Sequence, residues 1–316
     1  MTKHFTRRTL VGILLALFLI CACFFAAGKV YSLYNSLCRK IDYTNNTVYA
    51  IHETVDRVYQ SVQRDSASYT FDYGWAKRTP ALVAHALGGI QDYTYTNSLE
   101  AFEHNYALGH RVFEVDFDIT DEYIPVASHD KARWQELTGA AEGTPYTHSA
   151  FISHPVLSKY TPLDYRDIID LMVRHPDIYV ITDTKYSDHS TFLVQFSQLV
   201  KYASEAGGDV LDRIIPQAYH QDMIHWIMSV YPFKSVILTL YSSAIDPQTA
   251  YTICEQTGVR YITAPEAWIT SDAMEMWDRL GIIVAAHTVN DCSRMENLRK
   301  LGVDIIYTDF LSPADL

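Results

Sequence analysis

The sequence predicts an α/β chain built on a closed eightfold barrel, and three observations predict it. After Pro80, short β-branched runs alternate with helical patterns, the texture of βαβ units around a parallel sheet. Eight such runs and seven intervening helical patterns fit into about 230 residues, which suits a closed barrel better than an open sheet. An uncharged apolar stretch precedes them near the N-terminus. The fold class is therefore a (β/α)8 TIM barrel with an excursion after the second strand, preceded by an N-terminal transmembrane helix.

The expected strands are residues 82–86, 112–119, 178–184, 213–219, 235–241, 260–264, 281–288 and 304–309. Helical patterns over 98–108, 163–174, 191–205, 222–230, 247–256, 271–280 and 293–301 separate them. Residues 131–162 belong to neither pattern and form the excursion, a length at which loops are usually functional or mobile.

Residues 10–27, LVGILLALFLICACFFAA, carry no charge and nearly cross a bilayer core of about 30 Å. Lys3, Arg7 and Arg8 in front of them predict a cytoplasmic N-terminus, hence a single-pass cell-membrane protein with an extracytoplasmic barrel. A cleaved signal peptide, cut after Gly28, is the alternative. Domain boundaries follow: 1–28 tip and signal-anchor, 29–79 juxtamembrane helix or stalk, 80–316 barrel. Val48, Ile51, Val55 and Val58 give the stalk its helical spacing.

Charge limits the partners. The first 40 residues hold six Lys or Arg and no acid, so the remaining 19 basic and 37 acidic residues leave −18 on the rest. Such a body repels phosphate backbones, which argues against nucleic acid, and an anionic substrate would need locally placed cations such as a metal ion. The five cysteines show no metal-ligand spacing and imply no disulfide framework.

In such a barrel the chemistry lies at the C-terminal ends of the strands. The first run ends in His85, followed by Gly88 and Gly89, which could let a phosphate approach the backbone. The second places Glu114, Asp116 and Asp118 on one face, a hard oxygen site for Mg2+ or Ca2+, although a solvated acidic face would read the same. The third ends with Asp183, which can add a further ligand, and Lys185, which can add a phosphate-facing cation, although a plain Asp–Lys surface pair would read the same. A short strand-like piece, 124–128, then delivers His129 and Asp130. Two histidines beside a metal carboxylate cluster suit a reaction that takes one proton and gives another.

Together these elements resemble the glycerophosphodiester phosphodiesterase family over about residues 81–312. The resemblance rests on His85 and its glycine loop, Asn97-Ser98, Ala101-Phe102, Gly109, Glu114-x-Asp116, Thr120-Asp121 and His129-Asp130. It continues with Asp183-x-Lys185, Thr288-Val289-Asn290, Gly302-Val303-Asp304 and Thr308-Asp309. It implies a metal-dependent phosphoric diester hydrolase acting on a small-molecule or lipid phosphodiester, releasing an alcohol and a glycerol phosphate. By resemblance, Glu114, Asp116 and Asp183 look like ligands of a divalent cation, His85 and His129 the acid–base pair, and Lys185 a phosphate contact. The chain departs from the family at Ala86 (usually Arg), Thr96 (usually Glu), Asp183 (usually Glu) and His287, which stands where Trp is frequent and where the leaving group would bind. Two rivals stay open: a phosphatidylinositol-phospholipase-C-like or lysophospholipase-D-like enzyme acting on membrane lipids, and an inactive binding barrel. An apolar entrance formed by Phe151, Ile152, Val156, Leu157 and Tyr160 would mark the lipid enzyme.

Overall fold

The computed structural model describes residues 68–316 except Pro80, Lys185, Ser187 and 242–244. The expected membrane segment and the stalk up to residue 67 lie outside the described residues. Among the described residues no helix is long and apolar enough to cross a membrane.

Among the described residues nine strands form one sheet: β1 (Leu82–Ala84), β2 (Val112–Ile119), β3 (Pro125–Ala127), β4 (Tyr179–Thr184), β5 (Ile214–Ala218), β6 (Ile237–Thr239), β7 (Tyr261–Ala264), β8 (Ile283–Ala286) and β9 (Ile305–Thr308). Eight are parallel and closed, because β1 pairs with both β2 and β9. β3 is the short piece expected near 124–128 and adds antiparallel to β2. Each expected strand is present, trimmed by a few residues at most ends.

Side-chain alternation builds two cores. Phe113, Val115 and Phe117 of β2 join the large core that includes residues of the surrounding helices. Val112, Ile181, Ile215, Ile237, Tyr261, Ile305 and Tyr307 fill a second cluster within the barrel. All eight residues of β2 are buried, so Glu114, Asp116 and Asp118 are not a solvated face.

Two expectations need correction. The compact unit starts at Ser68 rather than at residue 80. The segment assigned to the stalk closes the barrel floor through helix α1 (Gly74–Arg78): Trp75 is buried, stacks on Tyr261 at 5.5 Å and donates from Nε1 to Ser235 Oγ at 3.1 Å. Residues 131–162 are also not devoid of elements. They hold α3 (Lys131–Thr138) and α4 (His148–Ser153), which follow α2 (Leu99–Ala107) and precede α5 (Tyr165–Arg174). Trp134, Tyr146 and Phe151 pack with Val126 into a small core of their own.

Candidate active site

Strand register assembles the site. Ala84 lies opposite Phe113 of β2 and Thr308 of β9, so the next residues, His85, Glu114 and Asp309, meet at one end. Asp116 pairs with Asp183 across β2 and β4, and a residue's register partner points to the same face of a sheet. Glu114, Asp116 and Asp183 are all buried and each offers a carboxylate oxygen within 4.8 Å of the others. Three carboxylates at this separation fit a hard divalent cation.

Neighbours orient each ligand. The turn after β1 (His85–Leu87) places Ala86 at φ 51°, an uncommon conformation for a residue with a Cβ, and aims its N–H at Glu114 Oε2 (2.7 Å). Asn97 Nδ2 donates to Asp116 Oδ2 (3.0 Å) while Asn97 Oδ1 accepts from the Asp116 amide (3.2 Å). The Tyr219 hydroxyl donates to Asp183 Oδ1. Asp118 stands outside the trio: Tyr186 donates to its Oδ1 at 2.6 Å, and burial, the largest influence, raises its pKa.

His85 is buried, with Nδ1 2.8 Å from Asp309 Oδ1 and Nε2 3.9 Å from Glu114 Oε2. A carboxylate only accepts, so Nδ1–H is the donor and Nε2 is the atom available to a ligand. Burial is the largest single influence and disfavours the charged ring. The hydrogen bond to Asp309 and the charges of Glu114, Asp116 and Asp309 outweigh it and push the pKa up to about 9. Asp309 is itself clamped, since Asn290 Nδ2 donates to its Oδ2 at 2.7 Å.

His129 is 37% exposed and held by Asp130, whose Oδ2 is 2.6 Å from His129 Nδ1. Asp130 also caps α3 by accepting from the Arg133 amide, and these bonds lower its pKa against the opposing effect of burial. Tyr95 joins the two histidines: its ring centroid is 4.6 Å from that of His85 and 5.5 Å from that of His129, both edge-on. His287 packs at 4.6 Å from His85, at 4.6 Å from Tyr241 and at 4.9 Å from Tyr307.

The structure thus brings together Glu114, Asp116, Asp183, His85 and His287, and links His129 through Tyr95. Lys185 lies outside the described residues. At Gly88 and Gly89 the missing side chain serves packing. An added Cβ would come within 2.2 Å of Asn105 Nδ2 at Gly88 and 2.4 Å of Phe310 Cε1 at Gly89. Phe151, Val156 and Tyr160 are buried, Leu157 is half-buried and only Ile152 is exposed, so these five do not form the apolar entrance considered above. Sequence reasoning missed the roles of Tyr95, Asn97, Tyr219, Asn290 and Asp309. Tyr219 ends an expected strand, and that signal could have found it.

No known family model and no curated protein matches the chain. Solved structures do. An Oleispira antarctica phosphodiesterase in complex with the product sn-glycerol-3-phosphate is 14% identical with TM-score 0.62, covering 75% of this chain and 95% of that one. A glycerophosphodiester phosphodiesterase from Parabacteroides distasonis gives 16% identity and TM-score 0.59, over 72% and 92% of the two chains. One from Thermotoga maritima gives 17% and 0.54, over 72% and 94%. At these identities the likeness is one of backbone architecture, and this chain has the barrel fold of the solved glycerophosphodiester phosphodiesterases.

Proposed function

We propose that this chain is a metal-dependent phosphoric diester hydrolase that cleaves glycerophosphodiesters into an alcohol and a glycerol phosphate. The observation that carries the reading is the buried trio Glu114, Asp116 and Asp183 beside His85. The fold neighbour solved with sn-glycerol-3-phosphate supports the substrate class. These carboxylates would hold Mg2+ or Ca2+, and such an ion neutralises phosphate charge and acidifies a hydroxyl bound to it.

The protein's own groups handle protons. Asp309 lies outside the trio and keeps a proton on His85 Nδ1, so His85 exchanges protons through Nε2. With His129 on the other side of Tyr95, one histidine would take the proton of the attacking hydroxyl as its oxygen bonds to phosphorus. The other would protonate the alkoxide as the P–O bond to the leaving alcohol breaks. Lys185, two residues beyond Asp183, would add a cation facing the phosphate, and His287 would line the leaving-group side.

The uncharged residues 10–27 and the basic residues before them support a membrane-anchored enzyme with its barrel outside the cytoplasm. A single experiment tests both parts: alkaline-washed membranes carrying the full chain are assayed on a panel of glycerophosphodiesters, with and without chelator. Activity should stay with the membranes, vanish with chelator and return with Mg2+ or Ca2+. His85→Ala and His129→Ala should lower turnover by about 100-fold or more while metal binding persists. Full turnover in a metal-free sample, or in both histidine variants, would overturn the assignment, and activity in the wash would overturn the anchor.

A further inference from the structure

The site gathers negative charge. Glu114, Asp116, Asp183 and Asp309 converge on it, and Ala86, buried in the turn after β1, brings no cation. A phosphodiester is an anion whose oxygens need donors beyond a bound ion. Among the described residues one guanidinium stands against the ring that joins the two histidines: Arg133 Cζ is 5.1 Å from the Tyr95 centroid.

Two features hold Arg133 there. The carboxylate of Asp130 accepts from the Arg133 amide at 2.7 Å and from His129 at 2.6 Å, so one residue fixes the histidine and the start of the helix that bears the arginine. The face of Tyr95 attracts the guanidinium and leaves its N–H donors pointing outward from the plane's edge. The competing ion pair, Arg133 Nη1 to Glu136 Oε2 at 2.8 Å, joins groups 34% and 66% exposed, so solvent screens it and the fork can be redirected at small cost.

We propose that Arg133 is a second cation, beside the Lys185 of the reading above, that grips a phosphoryl oxygen of the substrate, reaching past Tyr95 toward the carboxylate trio. This rests on the phosphodiesterase reading above. The excursion then supplies part of the binding site, and a planar fork joins the point charge of Lys185 in recognising the anion.

The test measures binding of sn-glycerol 3-phosphate and of inorganic phosphate to the full chain in saturating Mg2+, with Mg2+ affinity measured separately. Arg133→Ala should weaken both anions roughly tenfold to a hundredfold, the usual size of a lost hydrogen bond to a charged group. Arg133→Lys should fall between, and Mg2+ affinity should stay at the parent value. Circular dichroism checks the fold, which alanine at this partly exposed helical position should leave intact. Anion affinities of Arg133→Ala within twofold of the parent would overturn the proposal, as would a parallel loss of Mg2+. If the parent cleaves no glycerophosphodiester, the function above fails, while loss of phosphate binding in Arg133→Ala still reads the arginine's role.

Discussion

Asp309 uses both carboxylate oxygens, one accepting from His85 Nδ1 and the other from Asn290 Nδ2, and its amide donates to Asn290 Oδ1 at 2.7 Å. The imidazole therefore cannot turn without breaking a clamped bond. Asp309→Asn would present an amide whose –NH2 can face Nδ1, favouring the tautomer with the proton on Nε2. Turnover should fall by about 100-fold or more with Mg2+ affinity retained; turnover within a few-fold of the parent would show that His85 needs no such partner. His85, Glu114, Asp116 and Asp183 were legible in the sequence because they sit at or near strand ends, in phase with a period of two. The role of Asp309 was not, since it depends on the Ala84–Thr308 register between the first and last strands, and one chain's sequence does not state which residues pair across a closing seam.

Among the elements, the eight barrel strands were readable from β-branched runs, but the short helices were not. α3 buries only Trp134 and α4 only Phe151, so neither carries the repeated apolar spacing that marks a helix. The same holds for α1, whose five residues bury only Trp75. Its position depends on tertiary contacts instead: Tyr73 donates to the Val236 carbonyl at 2.8 Å, and the Tyr69 amide to the Thr257 carbonyl at 2.8 Å. Trp75→Ala would leave a cavity against Tyr261 and Tyr179 and free Ser235 of its indole partner. A loss of about 3–5 kcal/mol is expected in urea unfolding of the barrel unit, and a loss under 1 kcal/mol would show that the floor helix is an ornament to the fold.

At the scale of the whole molecule, acid should weaken the barrel through His110, which ties the start of β2 to the chain's end by donating from Nε2 to the Leu311 carbonyl at 2.9 Å. Burial, assisted by the Arg111 charge and only partly offset by that hydrogen bond, pushes its pKa down from 6.5 to about 4. The unfolded chain therefore binds this proton first, and the contribution is complete above about pH 6.5 and lost as pH falls toward 4. It amounts to roughly 3 kcal/mol at most. Urea midpoints should drop between pH 7 and 4.5 and drop less in His110→Gln; equal slopes in the two proteins would exclude this histidine as the cause. Within the barrel unit, the segment that begins at Ser68 packs at the floor, where Trp75 meets Tyr261 and Tyr179 at the starts of β7 and β4, and the carboxylate trio lies toward the strands' other ends. A barrel unit coupled to a bead or sensor chip through residue 68 would consequently present the carboxylate trio on the side away from the support, so immobilisation from that side should leave its affinity for divalent cations as it is in free solution.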